Sequence, residues 1–266
     1  MTEYTTSLGT SDADHISLMG LDVADDLMGK VGFGELAFWM VAGRRPSVGE
    51  VRLFEAVLVS LADHGFTPTA IAARLTYYSA PDSIQGAVAA GLLGGGSRFL
   101  GVTENTGVFL HDAIVALGET AEWSDEQWDA AALEIVAATT EAGSFVPGIG
   151  HPVHKQADPR VPAMIRIATQ EGVRGPHLRL FEAIGRVHEQ VLGRRLPLNG
   201  AGVAGAALAD LRLPVSMLRG FSLLARTAGL IGQIAEEQRS PIGPAVYESV
   251  DRHASYVAPE SATPDH

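Results

Sequence analysis

The sequence predicts an all-α protein, and three observations support this fold class. Apolar residues recur at helical spacing in most segments, and helix caps and prolines mark where those segments begin. Alternation with a period of two, which is typical of half-buried strands, does not extend beyond the first segment. The chain has no internal repeat and no heptad array, and its 266 residues are enough for one large domain or two smaller lobes.

The N-terminal segment combines a polar start with the first helices. The apolar run His15–Met19 predicts a strand or an extended entry segment, and residues 20–28 predict a short helix. Residues 33–42 form a longer apolar run that stops at Gly43, which predicts a helix. The two arginines that follow suit the negative end of a helix dipole.

Caps and spacing identify the next three helices. Apolar residues at i, i+3, i+4 and i+7 predict a helix over residues 48–61. Thr67 before Pro68 is an N-cap followed by proline at the first helical position, and it predicts a helix through residue 75. Ser83 begins another helix, which reaches Leu93 before three consecutive glycines interrupt it.

The same signals predict the remaining helices. Ser124 caps one that Gly143 closes, and prolines open several others. The polar, proline-containing tail from residue 253 is predicted to be disordered. The predicted helical ranges in this part of the chain are 105–117, 124–143, 162–171, 176–192, 201–211 and 214–238.

Composition excludes several functional classes. A net charge of −12 argues against nucleic-acid binding and against binding to an anionic membrane surface. The absence of cysteine excludes disulfides and thiolate metal sites. The start of the chain lacks the apolar core of a secretory signal, and the apolar runs are too short to span a bilayer. These features fit a cytoplasmic protein that binds small molecules through local clusters of arginine.

The segment "SFVPGIGHPVHKQADPR", residues 144–160, concentrates titratable residues between apolar segments. Two glycines in three residues permit a tight turn that presents backbone N–H groups. His151 can act as an acid or base near neutral pH, and Arg160 can hold a carboxylate with two hydrogen bonds. The alternative is a structural turn whose histidines cap helices. The spacing of His151 and His154 does not match a zinc ligand set, so no metal is expected.

Within this segment, "PGIGHPVHKQADPR" resembles the signature of the citrate synthase superfamily. Four other segments are similar to family segments in the same order along the chain: "ADHG", "GGGSRFLG", "PLNGAGVAGAAL" and "LLARTAGLIGQIAEE". The likeness covers residues 11–247 and is strongest to citryl-CoA lyases and the lyase domain of ATP-citrate lyase. It implies an all-α dimer whose large domain comprises residues 1–100 and 214–252 and whose small domain comprises residues 101–213.

The resemblance also implies roles for individual residues. His151 matches the family's catalytic loop histidine, and Arg160 and Arg226 match arginines that hold carboxylates, although each arginine could equally be a buried ion-pair partner. His64 and Arg74 are further substrate-binding candidates. No cofactor is implied beyond coenzyme A (CoA), which enters as the substrate thioester. The residues expected to bind CoA are Val146, Gly148, Ile149, Gly150, Lys155, Asn199 and Gly200.

Three positions depart from the family pattern. The aspartate that moves the α-proton falls on Ala201, the histidine that stabilises the enolate falls near Phe99, and a helix histidine falls on Gln233. Alanine cannot move a proton. The sequence therefore leaves three functions open: a lyase that cleaves a 3-hydroxy-3-carboxy acyl-CoA, a protein that binds CoA thioesters or organic acids without turnover, and a condensing acyltransferase.

Overall fold

A computed structural model of the protein describes residues 3–150 and 157–259. Within these ranges the chain forms α-helices and one small sheet, which confirms the predicted fold class. The helices are α1 (Phe33–Ala42), α2 (Val48–Leu61), α3 (Pro68–Ser79), α4 (Ile84–Leu93), α5 (Val102–Leu117), α6 (Asp125–Glu141), α7 (Arg160–Gln170), α8 (Pro176–Leu192), α9 (Gly200–Asp210), α10 (Leu218–Arg239) and α11 (Gly243–Arg252).

The N-terminal sheet is antiparallel in the order β1 (Gly9–Ser11), β2 (Ile16–Leu18), β3 (Leu21–Asp22). The extended segment predicted at residues 15–19 is therefore confirmed as a strand. The helix predicted at residues 20–28 is shorter, a π-helix over Val23–Leu27. Met19 and Gly20 both have positive φ, and they form the tight turn that pairs Leu18 with Leu21.

Most predicted helix ends agree with the structure because the capping residues are local signals. Helices α1, α2 and α8 have the predicted bounds. The Ser47 hydroxyl accepts a hydrogen bond from the Glu50 amide, and the Glu50 carboxylate accepts one from the Ser47 amide, which completes a capping box at the start of α2. Helix α11 was not predicted, and residues 254–259 beyond it have no regular structure.

Contacts divide the chain into two units, which we describe separately. Unit 1 contains residues 1–62 and 96–225, and unit 2 contains residues 63–95 and 226–266. The predicted small domain, residues 101–213, falls within unit 1. The predicted large and small domains, and the disordered tail from residue 253, stay predictions.

Unit 1 is built around α9, whose residues 202–209 are buried. Its small side chains allow close packing against α5. A Cβ atom at Gly205 would lie 2.2 Å from the Thr103 carbonyl oxygen and 3.0 Å from the Gly107 amide nitrogen. Larger side chains fill the surrounding core, among them Phe38, Phe54, Trp128, Phe181 and Leu208.

We expect Gly205→Ala to destabilise the protein by about 1–3 kcal/mol or more, because the new methyl group meets backbone that cannot rotate away. Gly232→Ala is the matched control, since a Cβ atom there meets nothing within 4 Å. That change is expected to stabilise α10 by up to about 1 kcal/mol. Urea unfolding followed by circular dichroism measures both, and equal stability of the two variants would contradict the packing argument.

Unit 2 has a smaller apolar core, formed by Ala73, Ala87, Leu230 and Ile234. The core joins α3, α4 and residues 226–239 of α10. Gly91 of α4 permits the close approach, because a Cβ atom there would lie 2.7 Å from the Leu230 side chain. With so few apolar residues, unit 2 also depends on the polar contacts described below.

Candidate active site

The sequence-predicted site residues fall into three groups. His151 and Lys155 lie outside the residues that the structure describes. His64, Arg74 and Arg226 belong to unit 2. The remaining predicted residues belong to unit 1: Val146, Gly148, Ile149, Gly150, Arg160, Asn199 and Gly200.

In unit 1, two segments that are distant in sequence pair through their backbones. We call residues 146–150 and 196–200 the loop pair. The Gly150 amide donates to the Pro197 carbonyl (2.7 Å), the Asn199 amide donates to the Gly148 carbonyl (2.9 Å), and Ile149 bridges Leu198. The Asn199 side-chain amide adds a hydrogen bond to the Gly150 carbonyl (2.8 Å). Six of the seven predicted CoA-binding residues therefore lie in the loop pair.

Glycine is required in the loop pair for both conformation and space. Gly148 and Gly150 have φ values of +84° and +80°, which side chains rarely adopt. A Cβ atom at Gly148 would lie 2.8 Å from the Phe181 ring and 3.0 Å from Thr106. The backbone of the loop therefore lies directly against the core of unit 1.

Asp158 and Arg160 connect the loop pair to the start of α7. The Arg160 guanidinium donates through Nε (3.0 Å) and Nη2 (2.7 Å) to the two carboxylate oxygens of Asp158. Its Nη1 donates to the Ser60 carbonyl (3.1 Å). Asp158 also accepts the Gly200 amide (2.8 Å) at the start of α9. One buried carboxylate thus fixes the arginine and the first turn of a helix.

This arrangement restricts what Asp158 and Arg160 can do. Burial raises the pKa of Asp158, but hydrogen bonds from Arg160 and Gly200 outweigh it and bring the pKa to about 2. Such a carboxylate is too weak a base to replace the family aspartate. A guanidinium has five N–H donors, and Arg160 uses three of them on described residues. The other two make no hydrogen bond to a described residue, and the role of Arg160 in binding a carboxylate stays a prediction.

We expect the Asp158 carboxylate to make stability depend on pH. Its folded pKa lies below the ordinary value of 3.8, so its contribution of about 2 kcal/mol is present above about pH 4 and is lost as pH falls toward 2. The stability difference between wild type and Asp158→Asn should therefore be largest at neutral pH and shrink in acid. Urea unfolding at pH 7, 5, 4 and 3 measures it. A constant difference across this range would contradict the assignment, and exposed Asp112→Asn is the control.

Helix α9 carries no aspartate near its start. Ala201, the second residue of α9, is partly exposed, and the Asn199 side chain caps the helix by accepting the Gly202 amide (2.8 Å). Asp210 lies at the other end of α9. Its carboxylate accepts the amides of Gly175 (2.8 Å) and His177 (2.9 Å), so it caps α8. Among the described residues, α9 therefore offers no substitute for the missing carboxylate.

A cavity of about 440 Å³ lies beside the loop pair. Val146 and Ile149, both predicted to bind CoA, contribute to its lining, and Arg194 adds a cation. The sequence did not predict Arg194 as a site residue, because only the fold brings the end of α8 next to residues 143–149. The other lining residues are Thr140, Gly143, Ser144, Phe145, Leu192 and Leu196.

In unit 2, Arg74 is buried and bonded to three side chains of α10. Its Nε donates to Gln233 (2.7 Å), Nη1 donates to Glu237 (2.9 Å), and Nη2 donates to Glu236. The side chain is 1% exposed, and its guanidinium lies over the Phe66 ring at 5.1 Å. The carboxylates that Arg74 holds are thus the protein's own, and its role in substrate binding stays a prediction.

Two other predicted residues of unit 2 differ in exposure. Arg226 is buried on α10, seven residues before Gln233, so the two share a helix face. His64 is exposed in the turn between α2 and α3. Phe99, at the position of the family's second histidine, is 47% exposed between α4 and α5.

Residues 3–150 and 157–259 contain neither a metal-binding cluster nor a membrane-spanning helix. No group of three or more His, Asp and Glu side chains in these ranges is arranged to hold a metal ion. No helix in the same part of the chain is long and apolar enough to cross a membrane.

The sequence matches the family model for the citrate synthase C-terminal domain over residues 19–244. The chain belongs to the citrate synthase family. A curated relative, 2-methylcitrate synthase 1 of Corynebacterium glutamicum, is 27% identical over 202 residues, which cover 72% of this chain. The chain spans 47% of that enzyme's length. The family predicted from the loop motif is therefore confirmed.

Solved structures of family members share this fold. Citryl-CoA lyase from Hydrogenobacter thermophilus has a TM-score of 0.83 and 26% identity, and the match covers 99% of this chain and 96% of that one. ATP citrate lyase from Methanothrix soehngenii, solved with citrate and CoA, has a TM-score of 0.76 and 23% identity, and the match covers all of this chain but 44% of that one. This citrate synthase family member thus lies close to citryl-CoA lyase in structure, and its relatives are lyases or condensing enzymes.

Proposed function

We propose that this family member is a lyase of the citryl-CoA type. It would cleave citryl-CoA, or another 3-hydroxy-3-carboxy acyl-CoA, into an acyl-CoA and a 2-oxo acid such as oxaloacetate. The match to citryl-CoA lyase carries the proposal, because it covers nearly the full length of both chains. The longer 2-methylcitrate synthase corresponds to this chain over only 47% of its length.

In the proposed reaction, His151 acts as the general base. It accepts the proton of the substrate hydroxyl while the bond between the hydroxyl-bearing carbon and the α-carbon breaks. The oxygen becomes the carbonyl of the 2-oxo acid, and the electron pair moves to the thioester as an enolate. The enolate carbon then takes up a proton to give the acyl-CoA. Arg160 and Arg226 are proposed to hold substrate carboxylates, for which guanidinium groups are suited.

Ala201 cannot supply the proton that the enolate requires, so water or another side chain is proposed to supply it. This difference favours cleavage over condensation. Condensation must remove a proton from the weakly acidic α-carbon and therefore depends on a positioned base, whereas an enolate formed by cleavage is itself basic. The family aspartate is thus less necessary in the direction that we propose.

The loop pair is proposed to bind CoA. A Cβ atom at Gly150 would meet no described atom within 4 Å, so a ligand can approach the backbone there. The cavity beside it offers an apolar surface for the pantetheine or adenine, and Arg194 offers a cation for a phosphate. Lys155 is a second phosphate-binding candidate. A homodimer in the cytoplasm is also proposed, on the family resemblance and the composition.

The proposal is tested by incubating purified protein with citryl-CoA and following oxaloacetate release with malate dehydrogenase and NADH. Calorimetric titration with CoA is carried out beside it. Turnover of citryl-CoA would support the proposal. Binding of CoA without turnover of citryl-CoA or of analogues with other acyl chains would instead support a catalytically impaired binding protein, which Ala201 favours. Faster condensation of acetyl-CoA with oxaloacetate than cleavage would indicate an acyltransferase.

A carboxylate restored at residue 201 is expected to raise turnover. Ala201→Asp places it in the first turn of α9, and its protonated form would supply the proton that the enolate requires. We expect citryl-CoA cleavage to become about tenfold faster, less than the roughly 10²–10⁴-fold that an optimally positioned acid or base contributes. Ala201→Asn is the control of equal size that cannot transfer a proton. Equal rates for the two variants would show that residue 201 does not act on the substrate.

A further inference from the structure

A chain of hydrogen bonds runs from the buried Arg74 to the turn that carries His64. Arg74 Nε donates to Gln233 Oε1 (2.7 Å), and Gln233 Nε2 donates to Asp63 Oδ1 (3.0 Å). The Gly65 amide donates to the other carboxylate oxygen of Asp63 (2.8 Å). All four residues in this series of hydrogen bonds belong to unit 2.

The chemistry of the neighbours fixes the orientation of the Gln233 amide. A guanidinium only donates hydrogen bonds, and an ionised carboxylate only accepts them. The amide oxygen must therefore face Arg74 and the amide nitrogen must face Asp63. A flipped amide would place two donors together on one side and two acceptors on the other.

The Arg74 end of the chain is firmly anchored. The guanidinium is held by Glu236 and Glu237 in addition to Gln233, and Arg74 and Gln233 are 1% and 8% exposed. Burial of these groups strengthens their hydrogen bonds and makes their loss costly. The contact between Gln233 and Asp63 is thus a tether from a rigid helix to a turn.

At the other end, Asp63 uses both carboxylate oxygens to shape the residues around His64. One oxygen holds the turn to α10, and the other closes it onto Gly65, whose φ is +70°. His64 lies between these two residues, and it is exposed. The backbone on both sides of His64 is therefore held by hydrogen bonds.

We infer that Gln233 is a positioning residue, which holds the Asp63–Gly65 turn so that His64 binds the substrate, and that Arg74 serves as its anchor. This inference rests on the proposed lyase function and on His64 as a substrate-binding residue. It assigns a role to Gln233, where the family pattern has a histidine. It also explains a buried arginine whose carboxylate partners come from the protein itself.

The test is Gln233→Glu, which keeps the shape of the side chain. One carboxylate oxygen still accepts from Arg74, but the other faces the Asp63 carboxylate and the tether is lost. We expect KM for citryl-CoA to rise about tenfold with little change in kcat, the signature of lost ground-state binding. In a His64→Ala background the same change should have no further effect on KM, because both changes remove the same interaction, the one between His64 and the substrate.

Two comparisons separate positioning from a general loss of structure. Gln238→Glu is the matched control, because Gln238 also connects α10 to α3, through Tyr77, and it should leave KM unchanged. Gln233→Met removes the tether without adding charge and should reproduce the higher KM if Gln233→Glu folds poorly. An unchanged KM in both Gln233 variants, or additive effects with His64→Ala, would overturn the inference.

Amide hydrogen exchange at Gly65 tests the tether without turnover. Gln233→Glu should speed this exchange at least about tenfold, because the Asp63 carboxylate that accepts the amide is no longer held. If wild-type protein does not cleave citryl-CoA, the proposed function is wrong. The rate of amide hydrogen exchange at Gly65 then becomes the test of the tether. Unchanged exchange would then overturn it.

Discussion

Replacing His151 with alanine is expected to slow citryl-CoA cleavage by about 10²–10⁴-fold, the range that a positioned acid or base contributes. The hydroxyl proton must leave while the carbon–carbon bond breaks, and His151 is the loop histidine that matches the family motif. The rate is measured at saturating citryl-CoA, so that weaker substrate binding does not affect the measured value. Circular dichroism and urea unfolding confirm that the variant is folded.

His154→Ala is the matched control for this prediction, because it removes a histidine from the same segment at a position that the family motif does not mark as catalytic. We expect its effect to stay below about tenfold. Full activity in His151→Ala would show that another group accepts the proton. A large loss in both variants would indicate that the segment acts through its conformation rather than through one imidazole.

The sequence predicts helix ends where the determining interaction is local. Gly43 and Gly193 adopt the left-handed conformation just after α1 and α8, with φ values of 67° and 64°. The Ser124 hydroxyl caps α6 through the Gln127 amide three residues later. Such signals need only a few neighbouring residues, so one sequence is sufficient to read them.

Helix α11 was missed although proline in its first turn is a local start signal, and its start is also held by a carboxylate only five to six residues earlier. The Ile242 and Gly243 amides at this start donate to Glu237 of α10. The capping carboxylate comes from the preceding helix. Apolar spacing alone therefore does not display one of the contacts that specify the start of this helix.

The candidate site shows the same division between local and distant determinants. The motif identified the loop that carries Gly148 and Gly150, and its glycines do adopt positive φ. The sequence could not show that Asp158 would accept the Gly200 amide, 42 residues away. Nor could it show that the partners of Arg74 would be Gln233 and Glu237, because nothing in the residue type of an arginine separates a substrate ligand from an anchor.

Replacing Arg74 with methionine is expected to destabilise the protein by about 3–5 kcal/mol, the usual cost of removing one partner from a buried ion pair. Glu237 would keep its charge at a side chain that is 3% exposed. Burial raises the pKa of Glu237, but hydrogen bonds from Arg74 and from the Gly243 and Ile242 amides outweigh it and lower the pKa overall. Without the guanidinium, the remaining amides alone must stabilise the carboxylate. Urea unfolding measures the change.

Arg252→Ala is the control, because its pair with Glu248 is exposed, with the two side chains 71% and 52% accessible. Its effect should stay below about 1 kcal/mol. The two possible roles of Arg74 predict opposite results. An anchor that is lost lowers stability sharply, whereas a lost substrate ligand leaves stability nearly unchanged and raises KM. Because three of its nitrogens already bind side chains of α10, we expect the first result, and near-wild-type stability of Arg74→Met would contradict the anchoring role.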